Sequence, residues 1–363
     1  MNTCIKVKNK QYTLRDDDIN DYVRVNEKLN EWLIEWKNKI NDNKVWDTAK
    51  RLYNTYEFIF SSGYNKESVS KKKPLSRSYF KLWEILHDFD IIQEGSKTAH
   101  IAEGPGGFIE CICDLVKKYE QKSTIYGITL ISSNKKIPSW KLSKSILDKN
   151  DVHLYNQDNG NIYNIQTINN FIDYVGEHSC DFVTSDGGFD FSADFNNQEA
   201  DSLALMISEI YITLRIQKQK GSMLIKVFDL FSLRTIKLIS LCSNFYEEFV
   251  IIKPQTSRPA NSEKYLLFTN YFNFSTQQQN NLNLLKQCIV DKNSSLLDNY
   301  TPFENTLIAI TKYNLYYTAI QADALKETLE LSNNIDNHKK NNIINRNINL
   351  CRTWCSNYDI ETH

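Results

Sequence analysis

Apolar residues recur at helical spacing through the N-terminal part of the chain. Between residues 17 and about 60 they return every three or four positions among polar neighbours: Tyr22, Leu29, Trp32, Leu33, Trp36, Ile40 and Trp46. This spacing places apolar side chains on one face of a helix. The pattern therefore predicts a helical N-terminal segment.

A basic stretch ends this segment. Residues 68–77 contain three consecutive lysines, Lys71, Lys72 and Lys73, followed by Pro74. Proline and clustered charge favour a solvated turn, and a helical pattern resumes directly afterwards. We interpret the stretch as an exposed basic linker, with a new helix beginning near Ser76.

From Thr98 onward, short apolar runs alternate with helical patterns, which is typical of an α/β domain with a mainly parallel sheet. The seven predicted strands are residues 100–102, 124–128, 152–155, 181–184, 222–227, 245–252 and 264–269. The helices between them are predicted to start near Gly107, Ile162, Asn197 and Leu233. Only residues 253–263 separate the last two strands, and so short a connection predicts an antiparallel pair at the end of the sheet.

Beyond Tyr271 the helical pattern returns over residues 282–290, 303–317 and 322–331, and the chain is then polar to His363. No internal repeat is visible. We therefore divide the chain into a helical N-terminal segment with its linker (1–75), an α/β domain (76–272) and a helical C-terminal extension (273–363).

Composition and charge restrict the function classes. The 43 basic and 44 acidic residues nearly cancel, so nucleic-acid binding would depend on a local patch. The chain has no long apolar run and no signal-like stretch after Met1, which predicts a soluble intracellular protein. The sequence contains eight cysteines and no CxxC pair. Two closely spaced pairs occur, Cys111 with Cys113 and Cys351 with Cys355. Neither has a second pair at the spacing of a zinc finger, so we expect core thiols and no metal site.

A glycine-rich turn is the first candidate for chemistry. Residues 100–108 read His-Ile-Ala-Glu-Gly-Pro-Gly-Gly-Phe, after a short strand and at the start of a helix. Glycines there let a ligand approach the backbone at a helix N-terminus. The spacing is not GxGxxG, which argues against a dinucleotide cofactor. A purely structural turn between strand and helix is the alternative.

Two charged residues mark the next strand ends. Asp186 follows the fourth strand, at the carboxyl edge where open α/β sheets bind ligands. Lys226 lies within the apolar fifth strand, where its ammonium needs a partner or a cleft. The alternative for Lys226 is a surface lysine whose stem is buried and whose ammonium reaches water.

Two further residues are less distinctive when considered singly. Lys81 lies among apolar residues at helical spacing and would be held on a helix beside the sheet. Glu263 directly precedes the last strand, after a loop with two prolines and Arg258. A helix-surface lysine and a solvated loop acid are the alternatives.

Taken in order, these stretches resemble the FtsJ-like ribose 2′-O-methyltransferases, which use a Lys–Asp–Lys–Glu tetrad. The resemblance covers roughly residues 76–270 and places Lys81, Asp186, Lys226 and Glu263 in the catalytic positions. It implies a Rossmann-like class I methyltransferase fold: a seven-stranded, mainly parallel sheet with one antiparallel strand, flanked by helical extensions. Four motifs, at residues 126–130, 185–189, 226–232 and 257–263, are most similar to the cap-specific mRNA methyltransferases of eukaryotes and large DNA viruses.

The resemblance also implies S-adenosylmethionine as cofactor, bound by Glu103, Gly104, Pro105, Gly106, Gly107, Phe108, Thr129, Asp158, Asn161 and Asp186. Two positions depart from the branch. His100 stands where an aspartate is usual, so Glu103 is expected to bind the methionine amino group. Asn161 follows Gly160 where Gly-Asp is common, so adenine is expected to contact the Asn161 carbonyl oxygen or Asp158.

In-line transfer to a ribose hydroxyl requires alignment and removal of a proton. Lys226 is the candidate base, with a pKa depressed by burial, by Lys81 and by the sulfonium. Asp186 is expected to orient Lys226, and Glu263 to position Lys81 or the hydroxyl. The leaving group is a neutral thioether, so the reaction demands no metal.

The expected partner is RNA, the capped mRNA 5′ end, contacted through Lys71, Lys72, Lys73, Arg77 and Arg258. A solvated charge run is the alternative for the three lysines.

We expect no membrane association, and protein partners through the helical extensions. The cytoplasm is the expected location for a viral protein, and the nucleus is the alternative. Two other functions stay open: ribose methylation of ribosomal or transfer RNA, and a catalytically silent RNA-binding scaffold.

Overall fold

The structure is a computed structural model that describes residues 5–8, 16–40, 45–62, 67–120, 122–134, 137–188, 196–272, 275–333 and 336–363. Its strands are β1 (Ile5–Lys8), β2 (Lys97–Ile101), β3 (Thr124–Ile128), β4 (Asp151–Leu154), β5 (Cys180–Ser185), β6 (Gln217–Val227), β7 (Tyr246–Ile252) and β8 (Lys264–Tyr271). Its α-helices are α1 (Asp16–Asn38), α2 (Trp46–Tyr53), α3 (Ser78–Asp88), α4 (Gly107–Lys118), α5 (Lys144–Lys149), α6 (Ile165–Val175), α7 (Gln198–Ile216), α8 (Leu233–Ser243), α9 (Thr276–Val290), α10 (Glu304–Asn333) and α11 (Asn337–Asn357). Glu57–Ile59 and Ser294–Asn299 form short 3₁₀ helices.

The strands form one mixed sheet in the order β1-β7-β8-β6-β5-β2-β3-β4. The five strands β4, β3, β2, β5 and β6 pair in parallel. β8 is antiparallel to both β6 and β7, and β1 is antiparallel to β7. The mainly parallel α/β class and the antiparallel β7–β8 pair were predicted.

The predicted count of seven strands is wrong, because the sheet has eight. β1 is the additional strand. Like β8, it runs antiparallel to the other six strands. It has four residues, of which only Val7 is buried, and it pairs with β7, which is remote from it in the sequence. So short and polar a segment has no local strand signal.

The helix starts agree with the prediction at α4, α7 and α8, whereas α6 begins at Ile165 instead of Ile162. The C-terminal prediction needs two corrections. α10 is one continuous helix over residues 304–333, and α11 occupies the polar stretch near the C-terminus, where no helix is predicted. The buried residues of α11 follow helical spacing but are few among asparagines: Ile344, Asn347, Cys351, Trp354 and Cys355.

Two cores lie on opposite faces of the sheet. One contains α6 to α10 and also Val7 and Ile19 from the N-terminal segment. The other contains α3 and α4, together with Leu52 and with Trp354 from α11. Both terminal segments thus contribute buried side chains to the cores beside the sheet. The division into segments at residues 75 and 272 stays a prediction.

The chain leaves β2 toward β3 on one side, whereas β5 lies on the other side of β2. Such a reversal of strand order opens a crevice at the carboxyl ends of the two strands. The glycine turn follows β2 and Asp186 follows β5, so both border this crevice. Within the described residues, no helix is long and apolar enough to cross a lipid bilayer.

Candidate active site

Four charged side chains meet at the carboxyl edge of the sheet as two ion pairs. Lys81 Nζ lies 2.6 Å from Glu263 Oε1, and Lys226 Nζ lies 3.2 Å from Asp186 Oδ1. Each of the four side chains is only 12–13% exposed. Lys226 also donates to the Asp186 backbone carbonyl at 2.8 Å. The sequence-predicted catalytic residues are therefore neighbours in the fold.

Strand register explains how Lys226 and Glu263 come together. Lys226 on β6 pairs with Tyr265 on β8, and Val227 pairs with Lys264. Glu263 precedes β8 by one residue, so it lies where β6 ends. α3 packs in the core on one face of the sheet and supplies Lys81.

The pKa of Lys226 corrects one expectation. Burial alone would lower this pKa, but the charges of Asp186, Glu263 and Glu209 outweigh burial and raise it. The predicted depression is therefore wrong, because the carboxylates around Lys226 raise its pKa more than burial lowers it. Burial opposes ionisation of Glu263 too, yet Lys81, Lys226 and Lys253 hold its pKa at about 2.

Two residues at the site escaped the sequence analysis. The Tyr265 hydroxyl donates to Asp186 Oδ1 at 3.1 Å, on the carboxylate oxygen that also faces Lys226. Lys253 Nζ donates to the backbone carbonyls of Asn261 and Glu263, at 2.8 and 2.6 Å. Tyr265 thus orients Asp186, and Lys253 braces the loop that ends in Glu263.

Glu209 is a third residue that sequence reasoning missed. It lies on α7, is 1% exposed, and its carboxyl occupies the space that a side chain at Gly187 would need. Burial raises its pKa to about 8, and Asp186 adds to the shift while Lys226 and the Gly187 N–H oppose it. An acid amid the apolar residues of α7 was the available signal.

Glu209 makes the free energy of unfolding depend on pH in a defined direction. The folded protein keeps this proton up to about pH 8, whereas the unfolded chain loses it above a pKa of about 4.3. The folded state binds more protons between these values, so the contribution of Glu209 to stability falls as pH rises through them. We expect Glu209→Gln to stabilise the protein more at about pH 8 than at about pH 5.

Denaturant unfolding of the wild type and Glu209→Gln at both pH values measures this difference. The exposed Glu247 provides the control variant Glu247→Gln. We expect this variant to change the free energy of unfolding equally at both pH values. An equal effect of Glu209→Gln at both pH values would contradict a protonated Glu209.

The glycine turn between β2 and α4 is built for close packing. Gly106 has φ of +112°, and a Cβ there would lie 2.7 Å from Leu142 Cγ. Glu103 is 2% exposed, and its Oε1 accepts the Phe108 N–H at 2.6 Å. Its Oε2 is buried and has no hydrogen-bond partner in the described part of the chain. This unsatisfied oxygen fits a ligand that carries a hydrogen-bond donor or a positive charge.

The other predicted cofactor residues lie in the neighbouring turns. Thr129 Oγ1 accepts the Gly104 N–H at 3.1 Å, so this buried side chain holds the glycine turn. Asp158 accepts the Tyr155 hydroxyl and the Gly160 N–H, each at 2.8 Å. The Asn161 side chain accepts the Tyr163 N–H at 3.0 Å. Phe189, in the motif that contains Asp186, lies outside the described residues.

The basic stretch before α3 is not a free linker, which corrects the prediction. Ser70 bridges to Thr362, and the Lys71 N–H donates to the Glu361 carbonyl at 2.9 Å. Lys72 pairs with Glu110 at 2.7 Å and with Asp114 at 2.6 Å. Lys71 and Lys73 are exposed. The stretch is thus tied to the C-terminus and to α4, with two of its three lysines at the surface.

Helix α1 contributes to a second buried ion cluster, which includes the two neighbours of Glu263 in the sequence. Lys37 lies 2.7 Å from Asp229, and the two side chains are 5% and 4% exposed. Ser262 donates to Asp229 at 2.9 Å, and Lys264 donates to the Phe228 carbonyl at 2.7 Å. The cluster joins the N-terminal helix to both residues that flank Glu263.

A model of the FtsJ-like methyltransferase family matches residues 74–271. The chain belongs to the FtsJ-like methyltransferase family. Together with the mainly parallel sheet and its flanking helices, this confirms the predicted Rossmann-like methyltransferase class. Membership implies catalysis that depends on S-adenosylmethionine.

Relatives of this FtsJ-like methyltransferase include cap-specific enzymes. The chain is 23% identical over 349 residues to cap-specific mRNA (nucleoside-2′-O-)-methyltransferase 2 of Drosophila melanogaster. This match covers 92% of the chain and 50% of the Drosophila protein. It is 34% identical over 170 residues to the corresponding Drosophila enzyme 1, covering 45% of the chain and 21% of that protein. A cap-specific mRNA (nucleoside-2′-O-)-methyltransferase of Autographa californica nuclear polyhedrosis virus is 29% identical over 208 residues, with coverage of 56% and 76%. The chain thus spans half or less of the two insect proteins.

Proposed function

We propose that this protein is an S-adenosylmethionine-dependent, cap-specific mRNA ribose 2′-O-methyltransferase of the cap-1 type. The observation that carries the proposal is the meeting of Lys81, Asp186, Lys226 and Glu263 as two ion pairs beside the glycine turn. Curated relatives named as cap-specific mRNA methyltransferases support the choice of substrate.

The two ion pairs support a division of roles. Lys226 accepts the ribose proton, and Asp186, itself held by Tyr265, orients its amine. Glu263 holds Lys81 so that the ammonium of Lys81 lies at the same edge. Since the carboxylates around Lys226 raise its pKa, Lys226 must lose a proton before it can act as a base.

The cofactor fits the crevice at the carboxyl ends of β2 and β5. When bound, it supplies an electrophilic methyl group on a sulfonium. Glu103 Oε2 is the acceptor for its amino group, since this oxygen is buried without a described partner. Gly104, Pro105, Gly106, Gly107 and Phe108 shape the turn beneath it, Thr129 fixes that turn, and Asp158 and Asn161 line the adenine end.

RNA contacts are proposed from the basic residues before α3 and in the loop before β8. Lys71, Lys72, Lys73, Arg77 and Arg258 are the candidates, with the exposed Lys71 and Lys73 as the accessible members of the triplet. Binding by such a local cluster predicts that affinity for RNA falls steeply with salt concentration.

Methyl transfer onto matched short RNAs with and without a 5′ cap, and onto ribosomal and transfer RNA, tests the proposal. We expect labelled methyl groups on the capped RNA only, on the ribose of its first transcribed nucleotide. Equal transfer to both RNAs, or transfer only to ribosomal or transfer RNA, would contradict cap specificity. Absence of transfer to every RNA would favour a silent scaffold.

A further inference from the structure

Glu57 in the N-terminal segment is the centre of a further charged group near the active site. It is 1% exposed, yet it lies in a 3₁₀ helix outside the family match. Its carboxylate accepts Arg77 Nη1 at 2.7 Å, and Arg258 Nε and Nη2 at 3.1 and 2.9 Å. Burial opposes its ionisation, but the two arginines lower its pKa to about 2. One buried carboxylate thus joins two guanidinium groups.

The charges of this group do not balance. Within the group, Glu57 supplies one negative charge against the two positive charges of Arg77 and Arg258, and Arg51 Nε lies a further 3.7 Å from the carboxylate. Asp47 and Glu263 also act electrostatically on Arg258 and Arg77, but each of these acids is already paired with a lysine, Lys50 and Lys81 respectively. Arg77 and Arg258 are only 24% and 30% exposed. Removing surplus charge from water is costly unless a counter-charge compensates. The imbalance therefore indicates a place for an anion.

The arginines retain donors for such an anion. A guanidinium carries five N–H groups. Arg258 uses two of them on Glu57, and Arg77 uses one on Glu57 and one on the Thr256 carbonyl at 3.3 Å. Phosphate oxygens match the planar fork of arginine. The remaining donors suit a phosphate.

The group is also fixed relative to the catalytic residues. Arg77 immediately precedes α3, four residues before Lys81, and Arg258 lies in the loop that ends at Glu263. Glu84 on α3 accepts the N–H groups of Gln255 and Thr256 at 2.7 and 3.1 Å, so it holds the same loop against the helix. Both arginines therefore lie on segments that carry a catalytic residue.

We propose that Arg77 and Arg258 form a two-arginine clamp for a phosphate of the RNA beside the target ribose, and that Glu57 is the positioning residue of this clamp. The inference deepens the proposed function and rests on RNA being the substrate. It has an unusual consequence. Removing the negative charge of Glu57 should weaken the binding of a polyanion, because the two arginines then repel each other and separate.

Binding of a fluorescent short capped RNA across a salt series, with no methyl transfer required, tests the clamp. We expect Glu57→Gln and Arg258→Lys each to reduce affinity roughly 10- to 100-fold, the range for one charge-assisted hydrogen bond. The slope of log affinity against log salt should fall by about 0.7 for a lost contact to single-stranded RNA. Arg258→Lys keeps the charge and removes only the fork, so it separates geometry from charge.

Arg234 supplies the matched control. Arg234 lies on α8 and donates two hydrogen bonds to Asp298. Arg234→Lys therefore removes a comparable guanidinium fork away from the clamp and should leave RNA affinity unchanged. Cofactor affinity should be unchanged in Arg258→Lys, and its melting curve, measured in parallel, shows whether the variant is folded at the assay temperature. Tighter RNA binding by Glu57→Gln, or unchanged affinity and salt slope in Arg258→Lys, would overturn the clamp.

The source of the phosphate and the underlying function are tested separately. A cap dinucleotide and an uncapped oligonucleotide are tested as separate competitors of the fluorescent RNA. If Arg258→Lys weakens binding of the cap dinucleotide, the clamp binds the triphosphate bridge. If it weakens binding of the oligonucleotide, the clamp binds the RNA backbone. Wild type that binds RNA through the clamp but transfers no methyl group contradicts the proposed function alone. Wild type that transfers methyl groups while Arg258→Lys binds normally contradicts the clamp alone.

Discussion

Replacing Lys226 by methionine is expected to reduce methyl transfer roughly 10²- to 10⁴-fold, the usual effect of losing a general base. Methionine keeps most of the lysine's length and removes the amine that lies 3.2 Å from Asp186. Single-turnover transfer of labelled methyl groups to capped RNA measures the loss. Affinity for the cofactor should stay within a few-fold of wild type, because Glu103 and the glycine turn are unaltered.

Lys218 gives a matched control on the same strand. It pairs with Asp181 at 2.8 Å, near the opposite end of β6, and its side chain is 55% exposed. Lys218→Met should therefore transfer methyl groups at the wild-type rate. Turnover by Lys226→Met within tenfold of wild type would remove Lys226 from the role of base.

Lys37→Met is expected to lower the free energy of unfolding by about 3–5 kcal/mol, because it leaves Asp229 buried beside a missing partner. Lys264, 3.8 Å from Asp229, compensates part of this charge, so the lower end of the range is expected. Urea unfolding measures the change. The double variant Lys37→Met with Asp229→Leu should regain part of the loss, since it removes both charges.

The exposed pair of Lys6 and Glu248 is the comparison for this effect. Lys6 is 57% exposed, and surface pairs contribute only about 0–1 kcal/mol. Lys6→Met should thus change stability little. A loss below about 1 kcal/mol in Lys37→Met would show that the buried pair does not fix α1 to the segment that contains Asp229.

The α/β domain was predictable because its signals are local. Short apolar runs, turn residues and helical spacing predict β2 to β8, with the largest error at β6, which begins at Gln217 and not at residue 222. β1 and α11 were missed for a physical reason. β1 is stabilised by pairing with β7, and α11 by burying five side chains among asparagines, so both depend on contacts remote in the sequence.

The site was predictable where a residue contradicts its surroundings. Lys226 lies in an apolar strand, where its ammonium needs a charged or polar partner, and in the structure this partner is Asp186. The pairing of Lys81 with Glu263 required the resemblance, since neither residue is unusual in its own segment. Glu57 had no local signal, because its partner Arg258 lies 201 residues away.

Methyl transfer to capped RNAs that differ at one atom tests the central claim most directly. One RNA has a ribose as its first transcribed nucleotide, and the other has a 2′-deoxyribose there, with all other positions identical. We expect labelled methyl from S-adenosylmethionine to enter the first RNA and not the second. Equal incorporation into both RNAs would contradict the claim that this protein methylates a ribose 2′-hydroxyl next to the cap.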